Sequence, residues 1–293
     1  MESLSDKLKS LGVRTGFGSK EKPAPPKDGF DISTVVAGRE FETALGTTFM
    51  VENDYPFEHF VGNEHLFHPL NLATIGQWAG LRDLAEQSID SMVLLDTETS
   101  GLVGGTGTFA FLIGLGFRTQ AGYRVVQLFM RDPSQEPALL AGLSLILSGF
   151  KTMITFNGKS FDAPLLNTRH VLNTIPNPLV HLHHIDLLPL ARRLWRNRLP
   201  SRALKDLETE ILGMSRTDEE VPGWMIPEIY YEYLRTRDAR PLGGVLYHNA
   251  QDILSLGLLF NHMADLLDHP LDIAPEQGLD IIAIARLYED LLQ

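Results

Sequence analysis

A short apolar strand that ends in two carboxylates constrains the fold and chemistry of this chain more than any other feature. Residues 92–95 read Met-Val-Leu-Leu, and Asp96 and Glu98 follow with one threonine between them. Residues two apart on a strand point to the same face, so both carboxylates can approach one point. Carboxylate oxygens suit hard cations such as Mg²⁺ or Mn²⁺. Taken alone, the pattern fits either a divalent-metal site or a strand that ends in a polar turn.

Two later segments supply two more carboxylates and a titratable base. A second apolar strand runs into an Asn-Gly turn and a predicted helix that carries Asp162. Farther along, a predicted helix carries His248 and Asp252, which lie four positions apart and therefore share one face. Asp162 alone fits a first-turn residue favoured by the helix dipole, and the other two fit a surface pair. The occurrence of all three motifs in this order favours one shared site.

The order Asp-x-Glu, Asn-Gly-x-x-Phe-Asp and His-x-x-x-Asp resembles the three motifs of the DEDD superfamily of 3′–5′ exonucleases, which share the ribonuclease H-like fold. The resemblance covers roughly residues 86–270. It is closest to the bacterial YprB-type predicted exonucleases, which are related to the exonuclease domain of B-family DNA polymerases. By this resemblance, two Mg²⁺ or Mn²⁺ ions about 4 Å apart would activate a water and stabilise the leaving 3′ oxygen. The implied metal ligands are Asp96, Glu98, Asp162 and Asp252, and the implied general base is His248.

The base stands at an unusual position within the last motif. In family members that use histidine the base usually precedes the last aspartate by five residues, whereas members that use tyrosine place it four residues before. Here His248 has the tyrosine spacing and Tyr247 has the histidine spacing. On a helix of 3.6 residues per turn His248 lies about 40° from Asp252, against about 140° for Tyr247. An imidazole also titrates nearer to physiological pH than a phenol. These arguments favour His248, with Tyr247 as the alternative.

The charge distribution bears on the expected partner, a nucleic acid. A net charge of −12 is unusual for a nucleic-acid binder, because phosphate contacts need lysine or arginine. Between residues 181 and 205, however, the only acid is Asp186, and six basic residues surround Trp195. This segment predicts a local phosphate-binding surface or, alternatively, a solvated helix face. The expected substrate contacts are Asn157, Gly158 and Lys159 at the Asn-Gly turn, and Arg192, Arg193 and Arg196 in the basic segment.

The composition limits the kind of metal site and the compartment. The chain of 293 residues has no cysteine, which excludes a disulfide framework and a thiolate zinc site and leaves oxygen and imidazole as ligands. The N-terminus lacks the apolar core of a signal peptide, and no run approaches the ~18 apolar residues of a membrane helix. We therefore expect a cytoplasmic protein with no membrane partner.

The order of predicted elements indicates the fold class and the domain organisation. Three strands, a helix, a strand and a helix follow one another from residue 91, which is the order of a ribonuclease H-like domain with its first strand central. We expect an α/β fold with a mixed sheet, in which three antiparallel-linked strands precede parallel strands, flanked by helices. The predicted parts are a flexible N-terminal segment (1–32), a small β-rich extension (33–85), the exonuclease domain (86–270) and a C-terminal helical tail (271–293).

The function that this pattern predicts is metal-dependent 3′–5′ exonuclease activity on DNA or RNA. Two alternatives remain at this point. A ribonuclease H-like endonuclease would use the same metal ions, and a non-catalytic nucleic-acid-binding or scaffolding module would keep the fold without turnover. Carboxylates that converge in the folded protein favour an enzyme, whereas carboxylates that diverge favour the module.

Overall fold

Seven strands form one mixed sheet in the computed structural model. The structure describes residues 29–56, 60–61, 64–65, 70–101, 107–214, 221–272 and 278–292. The strands of the sheet are β1 (Arg39–Thr43), β2 (Gly46–Pro56), β5 (Met92–Thr99), β6 (Ala110–Thr119), β7 (Gly122–Phe129), β8 (Thr152–Thr155) and β9 (His183–Asp186). A separate short hairpin joins β3 (Phe60–Val61) and β4 (Glu64–His65).

The strand order of the sheet is β1-β2-β7-β6-β5-β8-β9. Neighbouring strands are antiparallel from β1 to β5, whereas β5, β8 and β9 run parallel. The predicted α/β class, with three antiparallel-linked strands followed by parallel strands, is therefore confirmed. Ligand sites of such sheets lie at the carboxyl ends of parallel strands. The carboxyl ends of β5 and β8, which are parallel neighbours, lie at that edge.

Helices cover both faces of the sheet. In chain order, those of the described residues are α1 (Ala73–Ala79), α2 (Glu136–Leu147), α3 (Asp162–Leu172), α4 (Leu187–Trp195), α5 (Leu204–Glu210), α6 (Ile226–Thr236), α7 (Leu242–Asp268) and α8 (Gly278–Leu291). Within these ranges, none has the length and apolar character that a membrane crossing requires.

The sheet separates two apolar cores because successive side chains of β5 point to opposite faces. Met92 and Leu94 pack into one core with α4 and most of α7, whereas Val93 and Leu95 pack into the other with α2 and α6. Each of these four side chains is at most 5% exposed. Full burial of an aliphatic side chain contributes roughly 1.5–3 kcal/mol. The strand that carries the two carboxylates is thus held firmly on both faces.

The segment predicted as a β-rich extension contributes β1 and β2 to this same sheet. β2 pairs with β7 in an antiparallel register that places Phe49 opposite Phe129 and Asn53 opposite Val125. The predicted division of the chain into domains stays a prediction. Most of the predicted flexible N-terminal segment, residues 1–28, lies outside the described residues.

Candidate active site

The first two motifs meet where β5 and β8 end. Asp96 and Glu98 lie near the carboxyl end of β5, on the face of the sheet that α7 covers. Thr97, between them, points to the other face, where its hydroxyl donates a hydrogen bond to Oδ1 of Asp162 at 2.5 Å. Asp162 is the first residue of α3 and is 7% exposed. The strand end therefore fixes three carboxylates from two motifs in one place.

Helix α7 brings the third motif against these carboxylates. Nε2 of His248 lies 3.5 Å from Oδ2 of Asp252 and 4.0 Å from Oε1 of Glu98. Each of these three side chains offers one ligand atom, and the three atoms lie within 4.8 Å of one another. The side chains are only 12–17% exposed. This group has the size and the oxygen and nitrogen donors that a divalent cation needs.

The electrostatics of Asp96 link this group to the remaining carboxylates. Burial raises the pKa of Asp96 well above its usual range, and the nearby charges of Asp252, Glu98 and Asp162 raise it further. A hydrogen bond of 2.9 Å from Nδ2 of Asn249 opposes the shift. The other three predicted ligands thus all act on Asp96, and such a set favours binding of positive charge. The residues present fit a divalent cation.

Burial also affects the pKa of Asp162. Burial raises its pKa to about 6, and the negative charge of Asp186 adds to the increase. The hydrogen bond from Thr97 lowers the pKa and so limits the shift. The carboxylate pocket therefore favours protonation unless a cation balances its charge.

The two candidate bases project from α7 in different directions. His248 belongs to the group of ligand atoms, together with Glu98 and Asp252. Burial raises the pKa of Tyr55 on β2, and the nearby phenol of Tyr247 raises it further, so Tyr247 lies near that strand. This separation agrees with the angular estimate made from the helix period. The role of His248 as the base stays a prediction.

The Asn-Gly turn after β8 is held by Asp186, the single acid of the basic segment. One carboxylate oxygen of Asp186 accepts from the backbone N–H of Asn157 at 2.7 Å, and the other accepts from that of Lys159 at 3.0 Å. Asn157 has a φ of 65°. At Gly158 an added Cβ would lie 2.4 Å from Oγ1 of Thr155, so only glycine fits there. These bonds and this packing hold the turn, and Lys159 is exposed beside it.

Two grooves meet at the carboxylates. A groove of about 730 Å³ is bordered by Asp96 and Asp162 and has Phe161 along its wall. A second groove of about 580 Å³ is bordered by Asp96 and Asp252. Asp96, Phe156 and Asn157 line both. The two grooves therefore adjoin at Asp96.

The predicted arginine contacts differ in their positions. Arg192 lines the second groove, as does Arg202. Arg193 donates to the backbone oxygen of Arg286 at 3.0 Å and pairs with Asp290, both on α8. Arg196 is exposed and does not line either of these two grooves. The structure thus brings one of the three predicted arginines to the site.

Sequence reasoning missed several residues that hold this site. Thr97 and Asn249 bond directly to carboxylates, and Asp186 organises the Asn-Gly turn. Asp186 carried a recognisable signal, since it is a lone acid before an apolar helix and is the N-cap of α4. No sequence pattern indicates these roles for Thr97 and Asn249, apart from their positions inside the first and the third motif.

The comparisons with known proteins agree with this fold. The model of the RNase_H superfamily matches residues 93–264, which is more than half of the chain, and the protein belongs to this superfamily. Over 245 residues the chain is 34% identical to the uncharacterized protein YprB of Bacillus subtilis (strain 168); the match covers 81% of this chain and 58% of YprB. The chain therefore spans little more than half the length of that relative. Superfamily membership supports a nuclease of ribonuclease H-like fold.

A solved structure shows a weaker likeness. The family B DNA polymerase from the hyperthermophilic archaeon Pyrobaculum calidifontis matches with a TM-score of 0.48 and 16% sequence identity. The match covers 66% of this chain and 27% of the polymerase chain. A likeness of this size supports no conclusion about activity.

Proposed function

We propose that this protein is a metal-dependent 3′–5′ exonuclease that hydrolyses phosphodiester bonds of DNA or RNA. One observation carries the proposal: Glu98, His248 and Asp252 offer ligand atoms within 4.8 Å of one another beside the buried carboxylate of Asp96. A non-catalytic module has no need to keep like charges in a buried position at an energetic cost. The residues that would hold Mg²⁺ or Mn²⁺ are Asp96, Glu98, Asp162 and Asp252.

The chain's own groups would share the chemical step. When bound, two divalent cations would supply the Lewis acidity that favours attack by water and stabilises charge on the leaving oxygen. His248 would accept the proton of the attacking water at Nε2, the atom that faces Glu98 and Asp252. Asp252 lies 3.5 Å from that atom and would favour the protonated imidazole after transfer.

The two grooves would bind the nucleic-acid strand on either side of the reacting phosphodiester. Arg192, on the wall of the second groove, would contact phosphate, and Asn157, Gly158 and Lys159 would contact the last nucleotides at the turn. Arg193 and Arg196 would add charge at longer range, because neither lines the two grooves. A local positive surface of this kind attracts phosphates in spite of a negative net charge.

The proposal includes the domain boundaries and the cellular location that the sequence predicts. We assign the activity to residues 86–270, with residues 33–85 as an extension of the sheet and residues 271–293 as a helical tail. The cytoplasmic location also stays a prediction.

A nuclease assay tests the proposal. Single-stranded DNA and RNA labelled at the 5′ end would be incubated with the protein and Mg²⁺ or Mn²⁺. Stepwise shortening from the 3′ end is the expected result, and the double variant Asp96→Asn, Asp252→Asn is the matched control. Internal cuts would instead identify an endonuclease, and binding without cleavage would identify a non-catalytic module.

A further inference from the structure

A row of three residues crosses the sheet next to the carboxylate site. The antiparallel register places Gly114 on β6 between Asp96 on β5 and Gln127 on β7. Asn249 of α7 lies directly over this row, and an added Cβ at Gly114 would come within 2.3 Å of its Oδ1. A side chain at position 114 would therefore displace Asn249. The strand pairing creates a space that only glycine leaves open.

The buried side-chain amides of Gln127 and Asn249 form a chain of hydrogen bonds that ends at Asp96. Nε2 of Gln127 donates to Oδ1 of Asn249 at 2.9 Å and to the backbone oxygen of Leu246 at 2.8 Å. Nδ2 of Asn249 then donates to Oδ2 of Asp96 at 2.9 Å. Gln127 is 1% exposed and Asn249 is 0% exposed. Because Gln127 donates both bonds to α7, the amide of Asn249 must turn its oxygen toward Gln127 and its NH₂ group toward Asp96.

We propose that Gln127 and Asn249 are positioning residues that orient the carboxylate of Asp96 for a divalent cation. The hydrogen bond to Oδ2 fixes the rotation of the carboxylate and thus the directions in which both oxygens present lone pairs to a cation. An amide donor suits this role because it carries no charge that would compete with a cation. Partners that orient metal ligands commonly change metal affinity by about 10- to 100-fold when they are removed. This inference rests on the proposed metal-dependent function.

Mn²⁺ affinity, measured by the electron paramagnetic resonance of free Mn²⁺ without nucleic acid, tests the proposal. Asn249→Ala should weaken binding about 10- to 100-fold. Gln127→Met has a similar shape but no donor, and it should weaken binding in the same direction although residue 127 lies two strands away from Asp96. Melting temperature in EDTA would establish that each variant is folded. The matched control is Thr48→Val, which removes another buried hydrogen bond, to the backbone oxygen of Phe129.

Gln127→Glu separates orientation from simple electrostatics. An added negative charge near the site should tighten Mn²⁺ binding if charge alone matters. A carboxylate cannot donate to Asn249, so that amide should rotate and turn its oxygen toward Asp96, which weakens binding. Weaker binding in Gln127→Glu than in Gln127→Met supports the positioning role. Affinities that equal the wild-type value in Gln127→Met and exceed it in Gln127→Glu overturn it. Wild-type protein that binds Mn²⁺ yet degrades no nucleic acid overturns only the proposed function.

Discussion

Asp54 and Asp96 are carboxylates of one sheet, yet their pKa values are shifted in opposite directions. A hydrogen bond from Arg124 lowers the pKa of Asp54, which lies at the exposed edge of the sheet formed by β1 and β2, where β2 extends beyond β1. Burial and three neighbouring carboxylates raise the pKa of Asp96. At the edge, the carboxylate of Asp54 is paired with a guanidinium. At the site, the carboxylate of Asp96 lies among other carboxylates.

The difference distinguishes carboxylates that serve the fold from carboxylates that serve a ligand. The edge repeats the matched arrangement, since Arg131 binds Glu40 through two bonds and Arg39 binds Glu52. Exposed pairs of this kind contribute about 0–1 kcal/mol each. The site places its charges where they oppose folding, and the two apolar cores on either side of β5 offset that cost.

Replacement of Asp96 should give the largest effect, and two properties should change in opposite directions. Asp96→Ala or Asp252→Ala should abolish nuclease activity, because a ligand is lost. The same change should leave the metal-free fold intact or stabilise it, because like charges held close together oppose folding. Activity per folded molecule and melting temperature in EDTA check both.

The matched control at the edge is Asp54→Ala. It should keep activity and should not stabilise the protein, because its partner is a cation. An Asp96→Ala variant that loses its fold, while activity per folded molecule is unchanged, would contradict the ligand role and remove the contrast between the two regions.

Replacement of His248 should give the next largest effect. His248→Ala should lower single-turnover cleavage by about 10²- to 10⁴-fold, the range for loss of a general base. Tyr247→Phe, which changes a residue on another side of α7, should be mild. Mn²⁺ affinity should be nearly unchanged in both variants. If His248→Ala loses Mn²⁺ binding, the imidazole is a ligand in the group that it forms with Glu98 and Asp252.

The basic segment should separate into residues that contact substrate and residues that hold the fold. Arg192→Ala should flatten the log-log salt dependence of nucleic-acid binding by roughly 0.7–0.9, which corresponds to one lost phosphate contact. Arg193→Ala should change that slope little and should lower the melting temperature, because Arg193 binds α8. Binding titrations from low to high salt provide the measurement. Equal slopes for wild type and Arg192→Ala would favour a solvated helix face.

The sequence predicted most elements of the fold because their signals are local. The apolar period from residue 242 to 267 predicted a long helix, and α7 spans Leu242–Asp268. Where the observed element differs from the predicted one, a single residue accounts for the difference. The pattern of residues 71–87 predicts one helix, but Gly80 adopts a left-handed φ of 72° and ends α1 at Ala79. The β-branched residues at 34–36 predict a strand over 34–38, but a 3₁₀ turn, Ile32–Thr34, capped by the Asp31 side chain, takes its place.

The candidate site was predictable only as far as its motifs extend. Asp96 lies on a strand, and Asp162 and Asp252 lie on helices, that the sequence pattern predicts, so their convergence could be expected. The bond from Gln127 to Asn249 joins residues 122 positions apart. It depends on the register of three strands and on the packing of α7, and no local pattern encodes either. The separation of Arg192 from Arg193 likewise depends on where α8 packs.

Acid should destabilise the two regions in different pH ranges, and this is the smallest expected effect. At the site end, Nε2 of His184 lies 2.8 Å from Oγ1 of Thr155, the side chain that packs against Gly158. Burial lowers the pKa of His184 from 6.5 to about 4, and the charge of Lys159 contributes. The unfolded chain therefore binds the proton first as pH falls. Stability from the neutral imidazole is complete above pH 6.5 and is lost as pH falls toward 4.

The partial exposure of the His184 side chain limits the size of this effect. His184 is partly exposed, so solvent screening should reduce the loss to about 1–2 kcal/mol. His184→Gln, which can still bond to Thr155, should remove this contribution, so its stability relative to wild type should rise as pH falls from 6.5 to 4; protonation of Asp162, whose pKa is raised to about 6, stabilises both proteins alike in that range. Asp54→Asn should leave that range unchanged, because the lowered pKa of Asp54 contributes stability that is lost only below its ordinary value of 3.8. Urea unfolding of metal-free protein at several pH values checks both. If His184→Gln keeps the wild-type slope, the site end has no separate acid-sensitive group, and the two regions differ only in their carboxylates.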